Sequence, residues 1–133
     1  MMIRFTVKGN PVSKKNHSQI IMNGGHPRLI PSKPYRDYEK VFLWQVPAAA
    51  KVRLSLPHTL KCVYYMETRR RVDLNNLIAA TADLLVKAGV LEDDNAQIIY
   101  SLDGSRVEYD KENPRVEIEL IPIAREKGES SGI

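Results

Sequence analysis

The alternation of apolar and polar residues predicts four strands along the chain. Ile3 to Lys8 alternates strictly, as a strand with one buried face does, and Arg115 to Ile121 repeats that pattern. The apolar run from Leu60 to Met66 predicts a more buried strand, and Gln97 to Asp103 predicts the fourth. Residues 19–30 turn at an Asn-Gly-Gly sequence and predict a short hairpin.

Helical periodicity is clearest from Leu74 to Ala88, where apolar residues recur at spacings of three and four. Asp73 can cap the first turn with its carboxylate, and Gly89 suits the position just after the last turn. At 100° per residue, Asp83 falls roughly opposite the apolar stripe of this helix. We therefore expect the stripe to face the core and Asp83 to face away from it.

A second helix is predicted from about Tyr35 to Ala50, although Pro47 must kink it or end it early. Core packing is the role that the sequence favours for Val41, Phe42 and Trp44. Residues near the start of this helix could instead stack on or contact nucleic acid, namely Tyr35, Arg36, Tyr38 and Lys40.

In chain order these elements are strand, hairpin, helix, strand, helix, strand and strand, which predicts an α+β fold. We expect a single domain over residues 1–124, with a mixed sheet of about four strands plus the hairpin, packed by two helices. The tail, residues 125–133, is charged and rich in Gly and Ser, so we expect it to be disordered.

Composition narrows the class of protein. The 133 residues are 43% hydrophobic, enough for one modest core, and no apolar run approaches the length of a membrane span. There is no signal-peptide pattern at the N-terminus. Because Cys62 is the only cysteine, it cannot form an internal disulfide, which fits a reducing cytoplasm. We expect a cytoplasmic protein without a membrane partner.

Charge is distributed unevenly along the chain. Residues 1–72 carry 14 Lys and Arg against three Asp and Glu, whereas residues 73–133 carry six against 13. Such asymmetry favours nucleic-acid binding, although lysines and arginines that merely coat a solvated face would give the same count.

The two kinds of charge meet where Arg69-Arg70-Arg71 runs into Asp73. A basic cluster attracts phosphates, while carboxylates repel them unless a cation lies between, so the pairing points to metal-assisted phosphodiester chemistry. Further carboxylates follow at Asp83, Asp93, Asp94 and Asp103, and Mg²⁺ prefers such hard oxygen ligands. Taken singly, a helix-capping Asp and an acidic turn are also common structural features.

The chain resembles the RusA family of Holliday-junction resolvases. The resemblance is carried by Arg70 to Ile98 and by the N-terminal sequence G-N-P-V-S-K-K-N, residues 9–16. It implies a homodimeric, Mg²⁺-dependent endonuclease of bacteria or their phages, with Mn²⁺ able to substitute. It also implies paired symmetric nicks in opposing strands of a four-way junction, in DNA recombination and repair.

The same resemblance implies the site residues. Asp73 matches the first aspartate of the family motif D-x-D-N-L, and Asn75 stands at its second catalytic position. Asp93 and Asp94 match a D-D pair with one catalytic member, for which Asp94 is favoured. The implied metal ligands are Asp73, Asp83, Asp93 and Asp94. The implied DNA-binding residues are Lys14, Lys15, Asn16, Arg69, Arg70, Arg71 and Asn76.

One departure leaves three explanations open. Asn75 replaces a carboxylate of the family motif, and Ala79 replaces a helical lysine. An asparagine offers a carbonyl oxygen to a metal but no negative charge. The chain is then a divergent enzyme that uses other aspartates, an engineered inactive variant, or a protein that binds branched or single-stranded nucleic acid without cutting it.

Overall fold

A mixed sheet with two helices packed on one face carries the core of this protein. The computed structural model describes residues 2–13 and 18–123. In these, the strands are β1 (Ile3–Lys8), β2 (Ser18–Asn23), β3 (His26–Pro31), β4 (His58–Met66), β5 (Ile99–Ser101), β6 (Arg106–Tyr109) and β7 (Arg115–Pro122). The helices are α1 (Lys33–Gln45) and α2 (Leu74–Lys87), with a short 3₁₀ turn at Ala48–Ala50.

Strand β4 pairs on both of its sides. On one side it is antiparallel to β7, which is in turn antiparallel to β1. On the other side β5 and β6 run parallel to the two ends of β4, so that together they make one interrupted edge. Helix α2 provides the crossover between β4 and β5 that a parallel pair requires. The hairpin of β2 and β3 forms a separate two-stranded sheet.

The buried face of the sheet follows from the register. Leu60, Cys62 and Tyr64 of β4 lie opposite Leu120, Ile118 and Val116 of β7, and all six are at most 1% exposed. Residues of α1 and α2 pack on this face, including Phe42, Leu84 and Leu85. The intervening positions of β4 and β7, such as Lys61 and Glu119, lie across from one another on the other face.

A buried hydrogen-bond chain joins α2 to β4. The Thr81 hydroxyl donates to the Leu77 carbonyl at 3.0 Å and lies 2.7 Å from the Tyr64 hydroxyl. Because a threonine hydroxyl has one proton, Tyr64 must donate to Thr81 Oγ1. The polar groups are thereby satisfied inside an apolar layer, where an unpaired hydroxyl would be costly.

The α+β fold, with two helices, a mixed sheet and a hairpin, is confirmed. The early end of α1 expected at Pro47 is confirmed: the helix ends at Gln45 and not at Ala50, because Pro47 cannot continue it, and Ala48–Ala50 form a separate turn. Strand β6 was not anticipated, since it is only four residues long and buries none of its side chains. No helix in the described part of the chain is long and apolar enough to cross a membrane.

Side-chain roles on α1 were partly reversed. Phe42 is fully buried as predicted, but Val41 and Trp44 are 47% and 88% exposed. Tyr35 and Tyr38, which had been considered for nucleic-acid contact, are buried instead. The polar and apolar positions of this helix are mixed, so periodicity did not identify the face that packs. The predicted disordered tail lies outside the described residues and stays a prediction.

Replacing Thr81 with Val should lower the free energy of unfolding by about 1–3 kcal/mol, because the buried Tyr64 hydroxyl loses its acceptor at Thr81. Tyr64→Phe should lower the free energy of unfolding by only about 1 kcal/mol. This change removes the hydroxyl itself, so no buried donor is left without an acceptor. Urea unfolding measures both variants. A larger loss for Tyr64→Phe than for Thr81→Val would contradict the assigned donor direction.

Candidate nucleic-acid and metal site

A cavity of about 430 Å³ lies beyond the C-terminal end of β4. Its walls come from the segment after β1, the end of β4 and the loop that leads into α2. The lining residues are Asn10, Pro11, Val12, Ser13, Met66, Glu67, Thr68, Arg70, Arg71, Val72, Asp73 and Leu77. Two arginines and two carboxylates therefore share one concave surface, which is the mixed charge that metal-assisted phosphate chemistry requires.

Backbone hydrogen bonds fix the segment after β1 against the rest of the cavity. Gly9 has φ +114°, a conformation that favours glycine, and its N–H donates to the Pro114 carbonyl at 3.0 Å. The Asn10 side chain then accepts from the backbone N–H of Glu67 at 2.9 Å. These contacts hold the segment that leads to residues 14–16 beside the loop that leads to Asp73.

Asp73 begins α2 as its N-cap. Its Oδ1 accepts from the backbone N–H of Asn75 at 2.9 Å and of Asn76 at 3.4 Å, which satisfies free donors of the first turn. The side chain is exposed at the cavity, and neither of these bonds uses Oδ2. The predicted capping role is confirmed, and it leaves a carboxylate oxygen directed away from the two capped amides.

The donor chemistry of this cavity fits a hard cation. Asp73 and Glu67 supply carboxylates and Asn10 supplies an amide oxygen, whereas the only cysteine is buried in β4, where burial raises the pKa of its thiol to about 12. Mg²⁺ is commonly held by one or two carboxylates together with water and phosphate oxygens. Glu67 was not identified from the sequence, because it follows β4 without belonging to any motif.

The three arginines are exposed and line two cavities, with Arg70 lining both. Arg70 and Arg71 line the large cavity, while Arg69 lies with its guanidinium carbon 4.2 Å from the centre of the Tyr109 ring. A second cavity, of about 340 Å³, is lined there by Thr68, Arg69, Arg70, Val107, Glu108 and Tyr109. A guanidinium stacked on an aromatic ring keeps its edge available for phosphate.

Tyr109 reaches Arg69 because β6 pairs with β4. The parallel register places Tyr109 opposite Met66, three residues before Arg69. The turn after β6 is held by Arg115, which donates to Asp110 and Glu117, each at 2.9 Å, and stacks 3.8 Å from the Tyr65 ring centre. The Arg115 hydrogen bond is the main reason that the pKa of Asp110 is lowered. Sequence reasoning missed Tyr109 because this pairing spans more than 40 residues.

Asp93 and Asp94 do not meet Asp73 within one chain. They follow α2, whose 14 residues span about 21 Å at 1.5 Å per residue, whereas Asp73 precedes it. Leu91 forms a bridge with Leu54, so the acidic turn lies near the start of β4, at the opposite end of the strand from the cavity. The Asp94 backbone N–H is the main group that lowers the pKa of Asp93.

The remaining predicted residues lie at different depths. Asn75 is exposed in the first turn of α2, and Asn76 is half-buried beside it. The prediction that Asp83 faces away from the core was wrong, because α1 packs on α2 and Asp83 is half-buried. Burial raises the pKa of Tyr35, and the nearby Asp83 carboxylate adds to that increase. Asp103 is exposed in the turn between β5 and β6. Lys14, Lys15 and Asn16 lie outside the described residues.

Across residues 2–13 and 18–123, no group of three or more His, Cys, Asp or Glu side chains is arranged to hold a metal ion. The predicted ligand set of Asp73, Asp83, Asp93 and Asp94 is therefore spread along α2 in one chain, with only Asp73 at the cavity. The metal-binding role of these residues stays a prediction.

Comparison with known proteins gives one result that bears on the site. The model of a family described as "Endodeoxyribonuclease RusA" matches residues 8–121, most of the chain. The match includes the segment after β1, the arginines and all of α2. No individually curated protein matches the chain.

Asp73→Ala should lower the free energy of unfolding by about 1 kcal/mol, because it removes the cap of α2, whereas Asp73→Asn should stay within a few tenths. Thermal and urea unfolding measure the difference, with the exposed Asn75→Ala as a control outside the cap. If the Asn variant lost as much stability as the Ala variant, the negative charge of Asp73, and not its capping oxygen, would be what stabilises α2.

Proposed function

Because this chain belongs to the RusA endodeoxyribonuclease family, we propose that it is a Mg²⁺-dependent nuclease that resolves four-way DNA junctions by paired nicks. We expect it to act in DNA recombination and repair in the cytoplasm of a bacterial cell, on host or phage DNA. The observation that carries this proposal is the cavity that Arg70 and Arg71 line together with Asp73 and Glu67. That surface suits a phosphodiester and a cation at once.

Different residues of the chain have separate roles in this proposal. Arg70 and Arg71 bind the phosphate that is to be cut, and Arg69, stacked on Tyr109, binds a neighbouring phosphate. Asp73 provides a fixed carboxylate oxygen, because its other oxygen is held by the first turn of α2. Lys14, Lys15 and Asn16, which follow Ser13 in the sequence, are proposed to add further phosphate contacts.

Asp73, with Glu67 beside it, would hold Mg²⁺ on this chain. When bound, the ion supplies a bound water of lowered pKa and positive charge at the phosphate. The arginines neutralise phosphate charge, which allows the carboxylates to lie close to the DNA backbone.

A homodimer follows from the separation of the predicted catalytic residues. Asp73 precedes α2 and Asp94 follows it, and the helix itself is about 21 Å long, so we expect the two to act together only if each comes from a different chain. Charge supports an antiparallel arrangement. The end of α2 near Asp73 carries three exposed arginines. At the other end Arg53 pairs with Glu92 and Lys87 pairs with Glu39, so the excess negative charge there comes from Asp93 and Asp94. A twofold axis would place each basic end beside the partner's acidic end and create two equal sites.

Asn75 supports a second candidate function, which is nucleic-acid binding without cleavage. The residue is exposed beside Asp73 and contributes no negative charge to the site. A protein that binds branched or single-stranded nucleic acid through its arginines, without cutting, would use the same basic surface. That protein would not require a metal, and its affinity would fall steeply with salt, as phosphate-dominated binding does.

The chain should cut a synthetic four-way junction symmetrically in Mg²⁺ or Mn²⁺, and Asp73→Asn should abolish cutting without unfolding α2. Denaturing gels measure the nicks, with linear duplex as the control substrate and Asn75→Asp as the matched variant. If only Asn75→Asp cuts, the native chain is a junction binder with an otherwise intact site. If every form binds the junction no better than duplex, the proposed function is wrong.

A mixture of Asp73→Asn and Asp94→Asn chains, refolded together, should recover nicking that neither variant shows alone. The mixed dimer contains one site with Asp73 from one chain and Asp94 from the other, both intact. Both variants are made in the more active of the native and Asn75→Asp backgrounds. Recovery with Asp93→Asn instead would assign the role to Asp93, and no recovery with either would show that the residues do not combine across chains.

A further inference from the structure

The hairpin of β2 and β3 presents an apolar face to solvent. Ile20 pairs with Leu29 across the ribbon, and Met22 pairs with Pro27, so these four side chains share one face. Ile20 and Leu29 are each 71% exposed, and Met22 is 67% exposed. Few soluble domains leave several large aliphatic side chains uncovered together, and such a face usually marks a binding surface.

The hairpin lies outside the hydrophobic core. It forms its own two-stranded sheet, and its tip turns through Gly24 and Gly25 at φ +61° and +83°, the turn geometry that matches the twist of a hairpin. None of Ile20, Met22 and Leu29 belongs to the core cluster or packs against it. The apolar face therefore contributes little to the stability of the domain.

The charges around the hairpin indicate its partner. From Gly9 to Arg36 the sequence contains five lysines and arginines and no aspartate or glutamate. Lys33, just after the ribbon, is paired with Asp37, while Arg28 lies on the ribbon itself. An apolar face on a ribbon whose own charged side chain is basic complements a polyanion with exposed stacking surfaces. Aliphatic side chains such as Ile, Leu, Met and Pro serve as wedges between bases in proteins that deform DNA.

The hairpin also begins beside the candidate site. Ser13 is buried and lines the large cavity, and β2 begins at Ser18. Five residues of extended chain span at most about 18 Å, so the start of the ribbon cannot lie far from the phosphate-binding arginines. A nucleic acid bound in the cavity would extend into reach of the hairpin.

We propose that the apolar face formed by Ile20, Met22 and Leu29 inserts between bases at the branch point of a DNA junction and holds them unpaired. This inference rests on the proposed function, because it requires a branched DNA bound at the cavity. The wedge separates bases where pairing is already interrupted, which costs less than opening continuous duplex. Its role is to position strands and not to take part in the bond cleavage.

The test uses a four-way junction with 2-aminopurine at the branch point, whose fluorescence rises when the base unstacks. In an Asp73→Asn background, which prevents cutting, binding should raise the fluorescence. Ile20→Thr with Leu29→Thr should lose most of that rise, while Leu29→Thr alone should lose part of it. Threonine keeps the β-propensity of the ribbon. The control is Arg28→Gln, on the other face, which should weaken affinity but keep the rise.

Each result decides between the proposals. Junction binding by fluorescence anisotropy with no change of 2-aminopurine signal in the parent, or an undiminished signal in the double variant, overturns the wedge and leaves the nuclease proposal standing. No preference for the junction over duplex overturns both. If sedimentation shows that the double variant turns a dimer into a monomer, the face is a contact between two copies, and the wedge is overturned.

Discussion

The pairing of β4 on both of its sides is the constraint on which the rest of the structure depends. Its residues Leu60, Cys62 and Tyr64 are buried against β7 on one side of the ladder and under both helices. Parallel pairing with β6 on the other side brings Tyr109 beside the chain that leaves Met66. Since the run of arginines begins three residues after β4 ends, the position of the basic cluster is fixed by the most buried strand of the sheet.

The crossover from β4 to β5 separates charges that the sequence brings close together. Parallel strands require a connection that returns to the starting edge, so α2 must run the length of β4. The arginines and Asp73 then lie at one end of this helix, and Glu92, Asp93 and Asp94 at the other. Asp73 is therefore kept apart from Asp93 and Asp94 within one chain by the helix between them.

Asp73 combines a structural and a proposed chemical role in one carboxylate. The cap uses Oδ1 and leaves Oδ2 for the cavity, so the side chain is held in place by the helix that it begins. The hairpin shows the opposite situation, because Ile20, Met22 and Leu29 do not belong to the hydrophobic core. Exposed apolar side chains that lie on an ordered strand but outside the core are expected to contact a binding partner.

The sequence by itself determined the elements, the fold class, the cap at Asp73 and the basic cluster, because these depend on local periodicity and neighbouring residues. The tertiary structure decided which helix face is buried, as Trp44 and Tyr35 show, since that choice depends on what packs against the helix. The tertiary structure also decided which residues come together at the site and which are kept apart. Asn10 and Tyr109 come from distant segments, and Asp94 is carried away from Asp73 by the helix between them. Contacts made through long-range strand pairing leave no local pattern in the sequence.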